Sequence, residues 1–334
     1  MEAISHQTGS KQDYAVCGHT NTSQYVAVFD GHGTHKCIEH IRSLDMDNVM
    51  ETDNPMLTLW DLTLTDTFRT GATASIARIT GTRIELWSMG DSEIHVFIND
   101  KLAYSTEVHT FTNSKEIERT KTLVRRIQPV KAPFPVSDTR VENIDSPVGD
   151  FITGESLVPS QSLGHNGMTG FAPCVHVIEF MPIDKVRIVG GTDGLFDMLV
   201  QVSHGNAQQI VDEAEKRWRM KWDFFDGKRD YKTDYGGTID DISCVIWENT
   251  VAFPTLCIPY SLIPFTQDDV REVIAPLAHI HMIEEEIFHD HKVFFIHLTH
   301  INDTMRDIYI KLFQGSKVKI WIREKWFWHI CLKN

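Results

Sequence analysis

The chain has 334 residues and lacks any run of about twenty apolar residues, the length that a helix needs to cross a bilayer. The sequence therefore predicts no membrane span. Its six cysteines form no Cys-x-x-Cys pair, and no charged segment followed by an apolar one opens the chain. Those features mark disulfide-rich secreted domains and signal peptides. We therefore expect an intracellular, cytoplasmic protein with reduced cysteines.

Basic residues are also scarce: Lys and Arg number 32 against 46 Asp and Glu, and the formal net charge is −14. Residues 1–250 hold 36 acidic and 23 basic side chains, whereas residues 251–334 hold 10 and 9. So acidic a surface argues against binding of nucleic acid or anionic membrane along the whole chain. The length and the change of texture near residue 250 predict two domains, residues 1–249 and residues 250–334.

The first range contains strand-like and helix-like segments. Residues 25–29 form an apolar run typical of a buried strand, and residues 74–79, 84–89 and 93–98 predict an antiparallel meander. Residues 105–165 are polar and contain several prolines, which predicts a loop-rich excursion with one short helix. Because strands follow strands along the chain, the fold class that we expect is α+β.

A helix is predicted to start at Asn54, a capping residue followed by proline at the first helical position. Its apolar stripe would consist of Leu57, Trp60, Leu64 and Phe68. A second helix is predicted from Ala207 to Trp218, where apolar residues recur at helical spacing.

Five carboxylates stand at the ends of predicted strands: Asp13, Asp30, Asp91, Asp193 and Asp240. If they met within about 4 Å, each pair would repel by roughly 4 kcal/mol at an effective dielectric near 20, so the cluster would need cations. Oxygen ligands without cysteine suit Mg²⁺ or Mn²⁺. The alternative is a purely structural role, because Asp-Gly, as at Asp30 and Gly31, is a common turn dipeptide.

Six segments, taken in order, resemble the motifs of the metal-dependent protein phosphatases of the PP2C (PPM) family. The resemblance covers about residues 5–248, and it implies that family's α-β-β-α sandwich of two antiparallel sheets flanked by helices. The segments, with the family motif that each resembles, are FDGHG at 29–33 (DGHGG), GATA at 71–74 (GSTA), GDS at 90–92 (GDSR), LVPSQSLGH at 157–165 (LAVSRALGD), TDGLFD at 192–197 (SDGLWD) and DDIS at 240–243 (DNMS or DDIT).

The resemblance implies a serine/threonine phosphatase that acts on phosphoprotein substrates through water activated between two Mg²⁺ or Mn²⁺ ions. Asp30 would bridge the two metals, and the Gly31 carbonyl, Asp193 and Asp240 would complete the pair. His32 would be the general acid that protonates the departing serine or threonine oxygen. The alternative for His32 is a structural histidine in a turn.

Two further carboxylates have roles by the same resemblance. Asp13 would hold waters of the metal pair, and Asp91 together with Asp193 would form a third, weaker metal site.

The chain also departs from the family pattern. The arginine that grips the substrate phosphate in the family has no match in residues 5–13, SHQTGSKQD. Lys11 is the candidate substitute, although a lysine lacks the bidentate fork of arginine. The rival prediction is therefore a metal-binding pseudophosphatase with a regulatory or scaffolding role.

Residues 250–334 predict a second, small domain in the order βαββαβ, which is the order of the ferredoxin-like fold and of the RNA-recognition motif. Its helices would begin at Thr266, which has Asp269 three residues later, and at about Asp303, with Gly315 ending the second. The last strand is predicted as one continuous run, residues 317–330.

The tail offers aromatic residues that suit base stacking. Residues 311–334 hold six basic side chains and one acidic side chain, interleaved with aromatics. Phe295, Trp326 and Trp328 are the candidate residues for binding single-stranded RNA or a protein partner. The alternative is that these aromatic residues fill the core of a small domain.

Overall fold

The structure is a computed structural model. It describes residues 1–7, 10–64, 68–199, 202–225, 230–233, 239–251, 253, 255–261, 265–323 and 326–333, without the side chains of 225, 233, 260, 321–323 and 326–327. The chain divides into two compact units: Met1–Phe180 with Val186–Asn249, and Met181–Lys185 with Thr250–Asn334. Residues 181–185, inside the range predicted for the first domain, thus belong to the second unit. In the described ranges, no helix has both the length and the apolar character needed to cross a membrane.

The first unit contains strands and helices in mixed order. Its strands are β1 Glu2–His6, β2 Asp13–His19, β3 Gln24–Gly33, β4 Thr70–Ala72, β5 Ala74–Thr80, β6 Arg83–Met89, β7 Glu93–Ile98, β8 Lys101–Ser105, β9 Val124–Gln128, β10 Lys131–Pro135, β11 Arg140–Asp145, β12 Val148–Phe151, β13 Ser156–Leu157, β14 Leu163–Gly164, β15 Cys174–Glu179, β16 Val186–Gly191, β17 Trp222–Phe225, β18 Asp230–Thr233 and β19 Ile242–Glu248. Its helices are α1 Lys36–Ser43, α2 Met46–Glu51, α3 Pro55–Thr63, α4 Ser114–Thr120, α5 Asp193–Phe196 and α6 Ala207–Arg219, with a 3₁₀ turn at His165–Gly167.

Two antiparallel sheets form the centre of this unit. One has the strand order β1-β19-β16-β7-β8, and the other runs β14-β4-β3-β5-β6-β15 with β2 paired to β3. Apolar side chains of both sheets, such as Val28, Leu86 and Ile188, share one buried cluster. Helices α1, α2 and α3 pack against the second sheet, and α5 and α6 against the first. The predicted mixture of helices with antiparallel sheets is confirmed.

The predicted three-strand meander is wrong in its last strand. Strands β5 and β6 pair as predicted, but β7 pairs with β16 and so belongs to the other sheet. The chain turns between the sheets at Gly90, whose φ of 105° favours glycine, and a Cβ there would lie 2.5 Å from the side chain of Thr73. The excursion at 105–165 contains the predicted short helix, α4, but also the short strands β9 to β14.

Helix α3 starts as predicted, because the Asn54 side chain accepts a hydrogen bond from the Leu57 N–H at 3.1 Å and Pro55 follows. The predicted stripe on this helix is wrong at Leu57 and Leu64, which are 41% and 46% exposed, although Trp60 packs half-buried against the core. The buried residues of the helix are Pro55, Met56, Leu59 and Thr63. Apolar residues occur on both faces here, so periodicity alone did not identify the face that packs. The other predicted helix is confirmed as α6.

The second unit is one sheet with two helices against one face. Its elements are β20 Leu256–Ser261, α7 Gln267–Ile274, β21 Ala278–Ile287, β22 Lys292–Ile301, α8 Asp303–Phe313, β23 Val318–Arg323 and β24 Trp326–Leu332. The sheet order is β21-β22-β20-β24-β23, with antiparallel pairs. Leu256, Phe294 and Ile296 bury one face against Val270 of α7 and Tyr309 of α8.

The start of α7 and the end of α8 follow the sequence prediction. Thr266 and Asp269 form a capping box, and Gly315, with a φ of 75°, follows the end of α8. The last predicted strand is wrong as a single run, because it is the hairpin of β23 and β24. A strand over residues 317–330 would extend for roughly 45 Å at 3.3 Å per residue, which is longer than its neighbours can pair.

Candidate active site

A cleft of about 730 Å³ opens where β3 and β16 end and β7 begins. Three carboxylates predicted from the sequence line it: Asp30, Asp91 and Asp193. The lining also includes residues that sequence reasoning missed, namely Arg69, His165 and Asp197. The cleft therefore unites segments that are up to 167 positions apart in the chain, counted from Asp30 to Asp197.

Asp30 is fixed by its backbone on both sides. Its N–H donates to the Thr73 hydroxyl at 3.2 Å, and its carbonyl accepts the Thr73 N–H at 2.8 Å. In the β2–β3 pair, Asp30 lies opposite Asp13. Burial raises the pKa of Asp30 well above its usual range, and the charge of Asp193 raises it further.

Gly31 has no room for a side chain. A Cβ at this position would lie 2.8 Å from the Gln12 carbonyl oxygen and 2.9 Å from Cβ of Ile38. The Gly31 N–H donates to the same Gln12 carbonyl at 2.9 Å. The sequence Asp-Gly here is thus more than a turn dipeptide, because the close approach of β2 requires glycine.

Asp193 is the first residue of α5, and Thr192 alone separates it from β16. Its carboxylate accepts the Gly194 N–H at 2.7 Å. Burial raises the pKa of Asp193 well above its usual range, and the charges of Asp240 and Asp91 add to this. One helical turn later, burial raises the pKa of Asp197 to about 7. The spacing of four residues in TDGLFD is the signal that could have identified Asp197 from the sequence.

Asp91 follows the Gly90 turn and precedes β7. Its neighbour Ser92 forms a 2.6 Å hydrogen bond with Thr73, the residue that holds the Asp30 backbone. Burial raises the pKa of Asp91 to about 6, with a contribution from the charge of Glu93. Strand β3, which carries Asp30, and the turn that carries Asp91 are therefore linked through one threonine.

Asp13 and Asp240 do not line the cleft but lie close enough to act on its charges. Asp13 is 2% exposed and accepts a 2.6 Å hydrogen bond from the Thr192 hydroxyl. Burial raises the pKa of Asp13 to about 7, with the charge of Asp241 adding to the effect. Burial of its carboxyl and the charge of Asp241 also raise the pKa of Asp240, although much of that residue is exposed.

Asp241 is a buried acid that sequence reasoning did not assign to the site. It accepts hydrogen bonds from the Gln12 N–H, at 2.8 Å, and from the Ser10 hydroxyl. These bonds hold the segment before β2 against the start of β19.

The site therefore brings together carboxyl groups that raise one another's pKa values. Every carboxyl with a raised pKa is raised first by burial and then, in each case, by another carboxylate. In the described ranges, however, no three His, Cys, Asp or Glu side chains stand so that they could hold a metal ion in this arrangement. The donor chemistry suits a hard divalent cation, but the donors would have to move closer to bind one.

His32 and His165 stack in the cleft, with ring centroids 4.8 Å apart. Neither ring nitrogen of His32 has a hydrogen-bond partner among the described residues, and neither does Nε2 of His165. Burial and the neighbouring His165 lower the pKa of His32 to about 3, so the ring is neutral near pH 7. The general-acid role of His32 stays a prediction.

His165 is held in an unusual conformation. Its φ of 49° lies in the left-handed region that residues other than glycine rarely adopt. Nδ1 donates a hydrogen bond to the Phe68 carbonyl, and Nε2 is buried with no hydrogen-bond partner among the described residues. Strained, buried polar residues of this kind concentrate at functional sites. The sequence signal was available, because His165 ends the segment LVPSQSLGH.

No family model and no curated protein match this chain. Among solved structures, it is similar over 73% of its length to a C. elegans sex-determining protein (16% identity, TM-score 0.47, 63% of that chain). It is similar over the same share to the serine-threonine phosphatase 2C of Toxoplasma gondii (15% identity, TM-score 0.44, 92% of that chain). A third similar structure is the catalytic domain of the phosphatase PstP in complex with two manganese ions (15% identity, TM-score 0.41, 95% of that chain). The chain thus spans less than two thirds of the first of these. At these TM-scores, no activity is transferred from these structures to this chain.

Lys11 does not line the cleft. It is exposed, with a φ of 56°, and its carbonyl accepts a 2.9 Å hydrogen bond from the Arg42 guanidinium. Arg42 also donates to the Asp13 carbonyl at 2.7 Å. Residues 8–9 belong to the segment 5–13, in which the family's phosphate-binding arginine has no match, and they lie outside the described residues.

The three candidate aromatic residues of the tail have different environments. Phe295 is half-buried, and the Lys333 ammonium lies 4.0 Å from the centre of its ring. Trp328 is 3% exposed and donates from Nε1 to Ser261 at 3.0 Å, so it belongs to the core and is not available to stack on a base. The side chain of Trp326 lies outside the described residues.

Proposed function

We propose that the first unit hydrolyses phosphoserine and phosphothreonine in proteins with two Mg²⁺ or Mn²⁺ ions and a third, more weakly held ion. The observation that supports this most is the convergence of Asp30, Asp91 and Asp193 in one cleft with the ring nitrogens of His32 and His165. Segments that resemble phosphatase motifs meet there from distant parts of the sequence. Concave sites with buried, convergent polar groups and shifted pKa values are the usual candidates for active sites.

The residues proposed to hold the ions are Asp30, the Gly31 carbonyl, Asp193 and Asp240, with Asp13 in the outer shell and Asp91 at the third ion. Their oxygen atoms are the donors that Mg²⁺ and Mn²⁺ prefer. Bound divalent ions would supply an activated water and stabilise the negative charge that develops on the phosphoryl group. Neutralisation of the buried carboxylates would also remove the repulsion that keeps them apart.

The chain's own residues position these groups. Thr73 holds the Asp30 backbone, Thr192 orients the Asp13 carboxylate, and the Gly194 N–H orients Asp193. The His32 ring, with both nitrogens unpartnered among the described residues, can donate an N–H to a substrate oxygen beside Asp30. A phosphate dianion next to this ring would favour its protonated form, because an opposite charge nearby raises a histidine pKa.

The rival function is a metal-binding pseudophosphatase with a regulatory or scaffolding role. The observation in its favour is that Lys11, the expected substitute for the phosphate-binding arginine, lies outside the cleft.

The test is hydrolysis of p-nitrophenyl phosphate and of a phosphothreonine peptide with and without Mn²⁺. We expect Mn²⁺-dependent turnover that Asp193→Asn reduces more than the roughly 10- to 100-fold typical of outer-shell changes at metal sites. The matched control is Asp61→Asn, on the exposed face of α3. Calorimetric Mn²⁺ binding without turnover would favour the pseudophosphatase, and absence of both would contradict the proposal.

For the second unit, we propose a ferredoxin-like fold with an added edge strand, β23, that binds a protein partner or single-stranded RNA. The strand order β21-β22-β20-β24 supports this fold, and Phe295 on the sheet face opposite the helices supports binding. We expect Phe295→Ala in the full chain to weaken the fluorescence anisotropy change with a single-stranded RNA probe. If the anisotropy of the RNA probe does not change with wild type even at low salt, RNA is excluded and a protein partner remains the proposed ligand.

A further inference from the structure

The cleft is rich in acidic residues. Seven carboxylic acids line it: Asp30, Asp91, Glu93, Asp145, Glu155, Asp193 and Asp197. In the described lining, Arg69 is the one lysine or arginine. A phosphate group that enters such a cleft needs positive charge beyond the metal ions, since excess carboxylate repels it.

The backbone of Arg69 is anchored beside the metal-ligand candidates. Its carbonyl accepts the Thr34 N–H at 2.9 Å, and the next residue, Thr70, pairs with Gly33 at the end of β3. This places Arg69 opposite Thr34, four positions from Asp30 along the β3–β4 ladder. The side chain itself is 78% exposed, so rotation about its own bonds can turn the guanidinium into the cleft.

Glu155, on the loop between β12 and β13, faces Arg69 across the cleft mouth. Nε of Arg69 lies 3.4 Å from Oε1 of Glu155. This exposed ion pair is weak, since solvent screens both charges. A phosphate offers the guanidinium two oxygens at once, a geometry that arginine matches with parallel hydrogen bonds.

We propose that Arg69 binds the substrate phosphate and exchanges Glu155 for it. This inference rests on the proposed function, because it names the phosphate-binding residue of that same site. It assigns to the residue directly before β4 the positive charge that residues 5–13 were expected to provide. Glu155 then acts as a competitor that keeps the guanidinium at the mouth until an anion enters.

The experiment compares wild type with Arg69→Ala, Arg69→Lys and Glu155→Gln in the full chain loaded with Mn²⁺. The loss of charged hydrogen bonds to phosphate predicts that Arg69→Ala raises KM for a phosphothreonine peptide about 10- to 100-fold, with a smaller change in kcat. Arg69→Lys should recover part of the loss. Glu155→Gln should lower KM, a gain that a merely structural ion pair would not produce.

A second readout does not depend on turnover. Isothermal titration of inorganic phosphate into the Mn²⁺-loaded protein should show weaker binding in Arg69→Ala and tighter binding in Glu155→Gln. The matched control is Arg83→Ala, which removes an exposed arginine that pairs with Glu85 at 3.1 Å outside the cleft. Circular dichroism and Mn²⁺ affinity verify that each variant is folded and loaded.

The outcomes separate this inference from the proposed function. Turnover by wild type with unchanged KM and phosphate affinity in Arg69→Ala would overturn the role of Arg69 alone. Phosphate binding that depends on Arg69, without turnover, would support the role and contradict the phosphatase. A rise in KM or a loss of phosphate affinity in Arg83→Ala as large as in Arg69→Ala would also overturn it, because the effect would then be one of net charge.

Discussion

The cleft of the first unit and the core of the second differ in what they bury. Around the cleft, Asp13 is buried and Asp30 and Asp193 are half-buried, and the loss of solvent around their carboxyl groups together with neighbouring carboxylates raises their pKa values. In the second unit, Phe294 and Tyr309 are fully buried among other apolar side chains. Burial of apolar surface stabilises a fold, whereas burial of unpaired charge opposes it.

Apolar core residues therefore stabilise the fold, whereas the carboxylates of the cleft lower its stability and are kept in place by the rest of the fold. A carboxylate cluster of this kind persists only because hydrogen bonds and the surrounding sheets fix it. Substitutions should therefore act in opposite ways in the two regions. Apolar truncation in the second unit should cost stability and spare metal binding, whereas neutralisation in the cleft should do the reverse.

The largest effect on stability is expected from Phe294→Ala. Its side chain is fully buried, and a cavity there should cost about 3 to 5 kcal/mol in the free energy of unfolding. Hydrogen exchange by mass spectrometry should show faster exchange in β20 to β24 and no change at the cleft. The control is Phe313→Ala, a side chain 38% exposed, which should cost much less. Equal acceleration around Asp30 would show that the two regions do not respond separately.

Glu116 provides a paired charge inside the first unit. It is buried and accepts hydrogen bonds from Arg119, at 2.8 Å, and from Ser160, at 2.6 Å. Glu116→Gln at pH 7 should cost about 3 kcal/mol, because the change removes one partner of a buried ion pair.

The same pair predicts an acid dependence. Burial alone would raise the pKa of Glu116, but the hydrogen bond and charge of Arg119 hold it below its usual value. A depressed pKa contributes stability above the unfolded-state value, near 4.3, and that stability is lost as the pH falls through the folded-state value. Urea unfolding from pH 7 to pH 3 should therefore show a smaller acid loss in Glu116→Gln than in wild type. Parallel pH profiles would contradict this.

Metal binding should stabilise the first unit selectively. At a free Mn²⁺ concentration 100 times the Kd, the expected gain is about 2.7 kcal/mol. Asp30→Asn should abolish this gain and, without metal, leave the unfolding free energy unchanged or higher, since it removes a repulsive charge. Asp61→Asn should retain the full gain. Protection by Mn²⁺ of peptides in the second unit instead of the cleft would refute the contrast.

Local signals in the sequence predicted local structure. The Asn54-Pro55 start of α3, the Thr266–Asp269 box of α7 and the glycine after α8 depend on residues within one turn, so they were identified correctly. Strand β7 was assigned to the wrong sheet, because its pairing with β16 joins residues about ninety positions apart. The face of α3 was misjudged for a related reason: distant strands decide which of two apolar faces is buried.

The site divides in the same way. Asp30, Asp91 and Asp193 were identifiable because each follows or precedes a recognisable strand, and all three line the cleft. His165 had a local signal, because it ends the segment LVPSQSLGH, whereas Arg69 had none. Arg69 joins the cleft because β4, which follows it, pairs with β3. Lys11 was close to the site in sequence, yet its side chain does not line the cleft. Position at the end of a strand therefore predicted which residues line the cleft better than closeness to a site residue along the chain did.

The smallest effect should be equal in the two units. Asn206 caps α6 in the first unit, and Thr266 caps α7 in the second, each through a capping box. Alanine at either position should cost about 1 kcal/mol, because a cap satisfies one or two backbone N–H groups wherever the helix lies. Hydrogen exchange in the first turn of each helix measures both costs in one chain. A stability cost found in Asn206→Ala but not in Thr266→Ala would mean that α6 is coupled to the cleft through α5. The cost of removing a cap in the first unit would then depend on residues outside the helix.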